Sequence, residues 1–247
     1  MTVVAVTALG VGGATVLGAI LGFLIKNIPH RYNDALLGFA SGIMLAASFS
    51  GLITPSLERR NVWITVLGIF LGAGCLHLLD RFTPHLHKLS GVEPESHADS
   101  NIAKVMLFVM AIAIHNLPEG IAAGVGFGSG DHGAALTVAI GIALQNIPEG
   151  MVVISPLLLA GVSPRRTFLL ALGTGMVEVF GTFLGYFAVS VSQAILPFAL
   201  AFAGGTMLYV ISDEMIPETH ADGHERLATY SLLTGVCVML ITDTLMG

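Results

Sequence analysis

Long apolar runs, separated by short polar breaks, set the plan of this chain. Eight can be drawn, near 4–25, 34–57, 62–80, 103–128, 133–160, 167–190, 194–216 and 228–246. Each is long enough to cross about 30 Å of hydrocarbon at about 1.5 Å of helical rise per residue. The pattern predicts an all-α polytopic membrane protein with eight transmembrane helices. Composition agrees: 11% of residues are charged against 54% hydrophobic, with mean hydropathy +0.85, which excludes a soluble globule. The first run lacks a basic leader and a small-residue cleavage site, so it reads as a span and not a removable signal peptide. Lys26, Arg31, Arg81, Lys88, Lys104, Arg165, Arg166 and Arg226 fall in or beside odd-numbered loops, against Arg59 and Arg60 in even-numbered ones. The positive-inside rule then places both termini outside the cytoplasm.

The polar positions that interrupt these runs carry the chemistry. HNLPEG spans His115 to Gly120 and QNIPEG spans Gln145 to Gly150, each in the middle of an apolar segment. A carboxylate at that depth costs roughly 2.5–3.5 kcal/mol on insertion scales, so a retained cluster points to function. On a helix, His115 and Glu119 share a face, as do Gln145 and Glu149, while Asn116 and Asn146 lie about 100° away. Pro118 and Pro148 remove hydrogen bonds to the carbonyls of Ile114 and Leu144, predicting two kinks with freed oxygens. An imidazole, two carboxylates and several amide oxygens suit a divalent ion such as zinc, manganese or ferrous iron, whose charge the two glutamates neutralise. The plainer alternative is a pair of Pro-kinked packing helices with hydrogen-bonded polar residues.

A second repeat appears at an offset of 163 residues. Ala8, Leu9, Gly10, Gly18, Leu21 and Gly22 recur as Ala171, Leu172, Gly173, Gly181, Leu184 and Gly185. Phe39, Ala40, Gly42, Met44 and Leu45 recur as Phe202, Ala203, Gly205, Met207 and Leu208, and Asp80 recurs as Asp243. Related segments are five spans apart, so the two trios run in opposite directions, an inverted repeat about the central polar pair. The expected organisation is one transporter domain over 1–247: a first trio over 1–80, a cytoplasmic loop over 81–102, a central pair over 103–160 and a second trio over 166–247. Thr15 corresponds to Glu178, a third carboxylate at membrane depth that can complete a metal site, hold a second ion or carry a proton.

Other candidates are weaker. Asp213, Glu214 and His220 fall near the cytoplasmic end of segment seven and read either as an exit path or secondary site or as a solvated helix end. His220 and His224 stand at i and i+4, and His85, His87 and His97 in the longest loop can hold metal loosely or form an ordinary polar loop. Cys75 and Cys237 lack CxxC spacing and read as small buried hydrophobes. No basic face for nucleic acid appears beside the net charge of -6. No HExxH phrase marks a metalloprotease, so an enzyme is not expected. A metal-regulated membrane sensor or scaffold, with the loop histidines as its active part, is the alternative to transport.

The two PEG phrases, with GFASGIMLAASF at Gly38 to Phe49 and SDEMIPETHADGHE at Ser212 to Glu225, resemble the ZIP family of divalent-metal transporters, above all its bacterial GufA-type branch. The resemblance covers essentially all eight spans. It implies a 3+2+3 arrangement, a homodimer in the bacterial inner membrane, and alternating access in which one helix bundle moves against another. It implies a transport site of His115, Asn116, Glu119, Gln145, Asn146 and Glu149, with Glu178 contributing. Zinc would be carried into the cytoplasm as substrate, with iron, manganese and cadmium tolerated. Some relatives have Asp or His where this chain has Asn146 or Gln145, and a neutral Asn146 weakens the case for two metals.

Overall fold

In the computed structural model the described residues are 1–25, 28–59, 62–81, 98–128, 130–221 and 223–246, and no strand occurs among them. Helix α1 spans Thr2–Ile25 and α2 spans His30–Ala47, which runs on through a π-turn, Ser48–Ile53, into α3, Thr54–Arg59. Then come α4 (Val62–Arg81), α5 (Ala98–Gly128), α6 (His132–Leu159) and α7 (Pro164–Val191). After a short 3₁₀ turn, α8 (Leu196–Val210) continues through a second π-turn, Ile211–Met215, into α9 (Ile216–Thr219), and α10 (Glu225–Met246) follows. Seven of the continuous helical stretches are long and apolar enough to cross a membrane, and α5, at 31 residues, is the eighth long helix. His85, His87 and His97, and most of the loop that holds them, lie outside the described residues.

The helices sort into two groups. α1 packs chiefly on α6 and α7, and α5 on α7; α2 packs chiefly on α10, and α4 on α8. Contacts of α2 with α6 and of α5 with α8 join the groups. Burial follows this plan, since 67% of the apolar window of α6 is buried inside the protein but only 11% of that of α10. Trp63, Phe70, Phe180 and Ile241 are exposed on the outside of the bundle, where an aqueous protein would not leave them but lipid tails solvate them. Cys75 and Cys237 are also exposed, which corrects the expectation that they are buried. They lie on α4 and α10, two helices with mostly outward surface, and a thiol is apolar enough for that place.

Without a hydrophobic force between helices in lipid, close packing depends on small residues that let backbones touch. A Cβ on Gly42 would stand 1.9 Å from the carbonyl oxygen of Leu232, and one on Gly205 would stand 2.2 Å from that of Ile69. These glycines are 163 residues apart, and so are the residues they meet. The two π-turns, beginning at Ser48 and Ile211, have the same spacing. Around the centre the pattern continues: a Cβ on Gly120 would meet the carbonyl of Glu178 at 2.3 Å, and one on Gly150 that of Thr15 at 2.2 Å. Both phrases are therefore pressed, at their last residue, against another helix, the first against α7 and the second against α1.

Candidate metal site

Helices α5 and α6 run on through Pro118 and Pro148 without interruption and place both phrases in the interior. His115, Asn116, Glu119, Gln145, Asn146 and Glu178 are all buried, and Glu149 is half-buried. Three hydrogen-bonded pairings organise them. Gln145 Nε2 donates to Glu119 Oε1 at 2.5 Å, bridging the two phrases. Asn116 Nδ2 donates to Glu178 Oε1 at 2.5 Å, and Asn146 Nδ2 donates to Glu178 Oε2 at 2.6 Å. Thr15 Oγ1 adds a third donor to Glu178 at 2.6 Å, and Asn146 Nδ2 also reaches the carbonyl of Val11 at 3.2 Å.

What these bonds leave over is informative. Glu119 Oε2, Gln145 Oε1, Asn116 Oδ1 and Asn146 Oδ1 are buried and accept no hydrogen bond among the described residues. Buried acceptors without partners are costly, and these four lie on two helices, α5 and α6, that contact each other; amide and carboxylate oxygens are ligands that suit a cation. Glu149 is an electrostatic neighbour of Glu119, of Glu178 and of His115, so the carboxylates share one field. Among the described residues, however, no three His, Cys, Asp or Glu side chains converge as a metal-ligating group. The nitrogen donor is engaged elsewhere: His115 Nε2 stands 2.9 Å from Glu214 Oε1, across the boundary between the two helix groups.

The π-turn explains that contact. It inserts a residue into the helical register and so redirects neighbouring side chains, a device frequent at functional sites. Asp213 is exposed, whereas its neighbour Glu214 is half-buried and turned to His115. The two acids therefore do not act as a pair, and Glu214 meets the central site itself. His220 lies apart from it: its Nδ1 is 2.9 Å from the carbonyl of Ile216 and 3.0 Å from Thr219 Oγ1. His224 Nδ1 instead lies 2.9 Å from Oδ2 of the buried Asp34, at the start of α2, so the two histidines hold separate partners. Thr15 was noted in sequence only as the repeat counterpart of Glu178. That correspondence was the available signal, and the structure brings the two side chains within 2.6 Å of each other.

A polytopic helical membrane protein with buried carboxylates and unpartnered amide oxygens at its centre has the features expected of one that handles cations inside the bilayer. Comparison with known proteins names the class more closely. A family model described as "ZIP Zinc transporter" matches residues 83–243. The chain is 39% identical over 251 residues to "Zinc transporter GufA" of Myxococcus xanthus, covering 98% of each. It is 39% identical over 253 residues to "Zinc transporter ZIPB" of Bordetella bronchiseptica, covering 95% of this chain and 78% of the relative. Human "Zinc transporter ZIP11" is 32% identical over 323 residues, covering 95% and 94%. The chain belongs to the ZIP family of zinc transporters, on its bacterial GufA-type side; it is a multi-pass membrane protein and not an enzyme, and a metal ion is its substrate.

Proposed function

We propose that this chain carries divalent metal, zinc first, across a bacterial inner membrane into the cytoplasm, through the site between α5 and α6. The observation that carries the reading is the set of buried, unpartnered oxygens on Asn116, Glu119, Gln145 and Asn146 beside Glu149. Relatives named zinc transporters support zinc over other ions. In this reading hydration water is exchanged for oxygens of Glu119, Gln145 and Glu149 and for His115, and the charges of Glu119 and Glu149 neutralise the ion. Ligation through His115 Nε2 requires that nitrogen to leave Glu214, so binding by that atom and the contact between helix groups compete.

The path is alternating access. The group α1, α5, α6 and α7 moves against the group α2, α4, α8 and α10, with Glu214 on the second group meeting the ion as it leaves. The grouping of helix contacts supports this division, and the paired close approaches 163 residues apart support an inverted-repeat origin for it. Both termini outside the cytoplasm and a homodimer complete the proposal.

Uptake of zinc into proteoliposomes by the purified protein, with manganese, ferrous iron and cadmium as competitors, tests it. Saturable zinc influx is expected; a sensor or scaffold would move no ion. Acid should oppose uptake, because the ligands bind metal only with His115 neutral and the carboxylates ionised. The KM for zinc should rise as external pH falls, by up to about tenfold per pH unit for each proton displaced. A KM that does not change between pH 7 and pH 5 would argue against ligation by these groups.

A further inference from the structure

Glu178 is buried completely and sits where α1, α5, α6 and α7 meet. Every side-chain hydrogen bond described for it is one that it accepts: from Thr15 and Asn116 on Oε1, and from Asn146 on Oε2. A carboxylate offers about four lone-pair positions, so about one remains. The hydrogens of the amide donors also place positive charge in front of both oxygens, where a second cation would have to approach.

The consequence falls on the amides. The nitrogen and oxygen of a carboxamide lie on opposite sides of one carbon, so fixing the first fixes the second. With both Nδ2 atoms held by Glu178, Asn116 Oδ1 and Asn146 Oδ1 are turned away from it, and these are two of the buried oxygens without a partner. Amides on two different helices are thus set to the same polarity by one carboxylate on a third.

We propose that Glu178 is a positioning residue and not a metal ligand: it locks Asn116 and Asn146 with their carbonyl oxygens presented to the substrate ion, and the chain holds one divalent ion at this depth. This rests on the transport-site reading above and deepens it by assigning the amide oxygens to metal recognition. In Glu178→Gln, one acceptor oxygen becomes an NH₂ group that faces an Asn NH₂. One amide must then flip, and it presents N–H to the cation in place of oxygen. In Asn146→Asp the donor to Glu178 is lost, and two carboxylates face each other across a space where, at neutral pH and with zinc in excess, a second cation displaces the proton they would otherwise share.

Calorimetric zinc titration of the purified full chain, with KM and maximal uptake rate measured in proteoliposomes, tests this. Wild type should bind one zinc per chain. Glu178→Gln should keep that stoichiometry with affinity weakened about 10- to 100-fold, as for residues that orient ligands, and with KM raised more than the maximal rate is lowered. Asn146→Asp should bind two zinc ions per chain; a loss of packing alone would not raise the number, and this variant keeps the test open if Glu178→Gln does not fold. Two zinc ions in wild type, falling to one in Glu178→Gln, would make Glu178 a ligand and overturn the proposal while leaving the transport site standing. Unchanged affinity in a folded Glu178→Gln, or one zinc in a folded Asn146→Asp, would overturn it likewise. No zinc bound by folded wild type would remove the transport-site reading and this inference together.

Discussion

Glu149→Ala is expected to reduce zinc uptake in proteoliposomes by between about 100-fold and a few thousand-fold. Two carboxylates, Glu119 and Glu149, balance the ion in the proposed site, and the alanine variant leaves a divalent cation with one. Removing one partner of a buried charge pair costs about 3–5 kcal/mol, and about 1.4 kcal/mol corresponds to a factor of ten. The loss should not come from misfolding. Glu149 is half-buried and has both like-charge neighbours, Glu119 and Glu214, and an opposite partner in His115, so the variant should melt close to wild type. Near-normal uptake at normal expression would show that the ion passes elsewhere.

The second large effect is steric. Gly42→Ala puts a methyl group 1.9 Å from the carbonyl oxygen of Leu232, and Gly205→Ala puts one 2.2 Å from that of Ile69. Neither obstacle is the end of a flexible side chain, so α2 must move from α10, or α8 from α4. Overpacking costs about 1–3 kcal/mol, and a chain of this size loses about 2–4 °C of melting temperature per kcal/mol. Each variant should therefore melt roughly 2–12 °C below wild type and transport more slowly. Gly13→Ala and Gly74→Ala, where nothing lies within 4 Å of the added carbon, should melt as wild type does or slightly higher, because alanine favours a helix interior over glycine. Equal losses in all four would refute the assignment to helix contact, since alanine is otherwise favoured over glycine inside a helix.

These two predictions draw on different levels of information. The phrases at His115 to Gly120 and Gln145 to Gly150 were legible because ionisable groups within apolar runs stand out against their surroundings. Their burial and proximity were deducible once each was placed on a helix. The surroundings of the glycines were less so: the repeat marks Gly42 and Gly205 and not Gly13 or Gly74, but it does not say that the first two meet a neighbouring backbone and the others open space. The same limit hides the outward placement of Cys75 and Cys237, whose apolar flanks are those of an interior position as much as of a lipid-facing one.

Sequence by itself determined the helical class, the number and approximate extent of the spans, the doubled polar phrase and the family. All of these rest on hydropathy over long windows or on residue identity. Tertiary structure alone decided which face of each helix is interior, because lipid and protein interior are equally apolar and hydropathy does not separate them. It also decided how the polar groups are partnered: Gln145 to Glu119, both asparagines to Glu178, and Glu214 to His115 through a π-turn that shifts the register. Hydrogen bonds depend on direction over about 3 Å between helices far apart in the chain, and only the packing of those helices sets that direction.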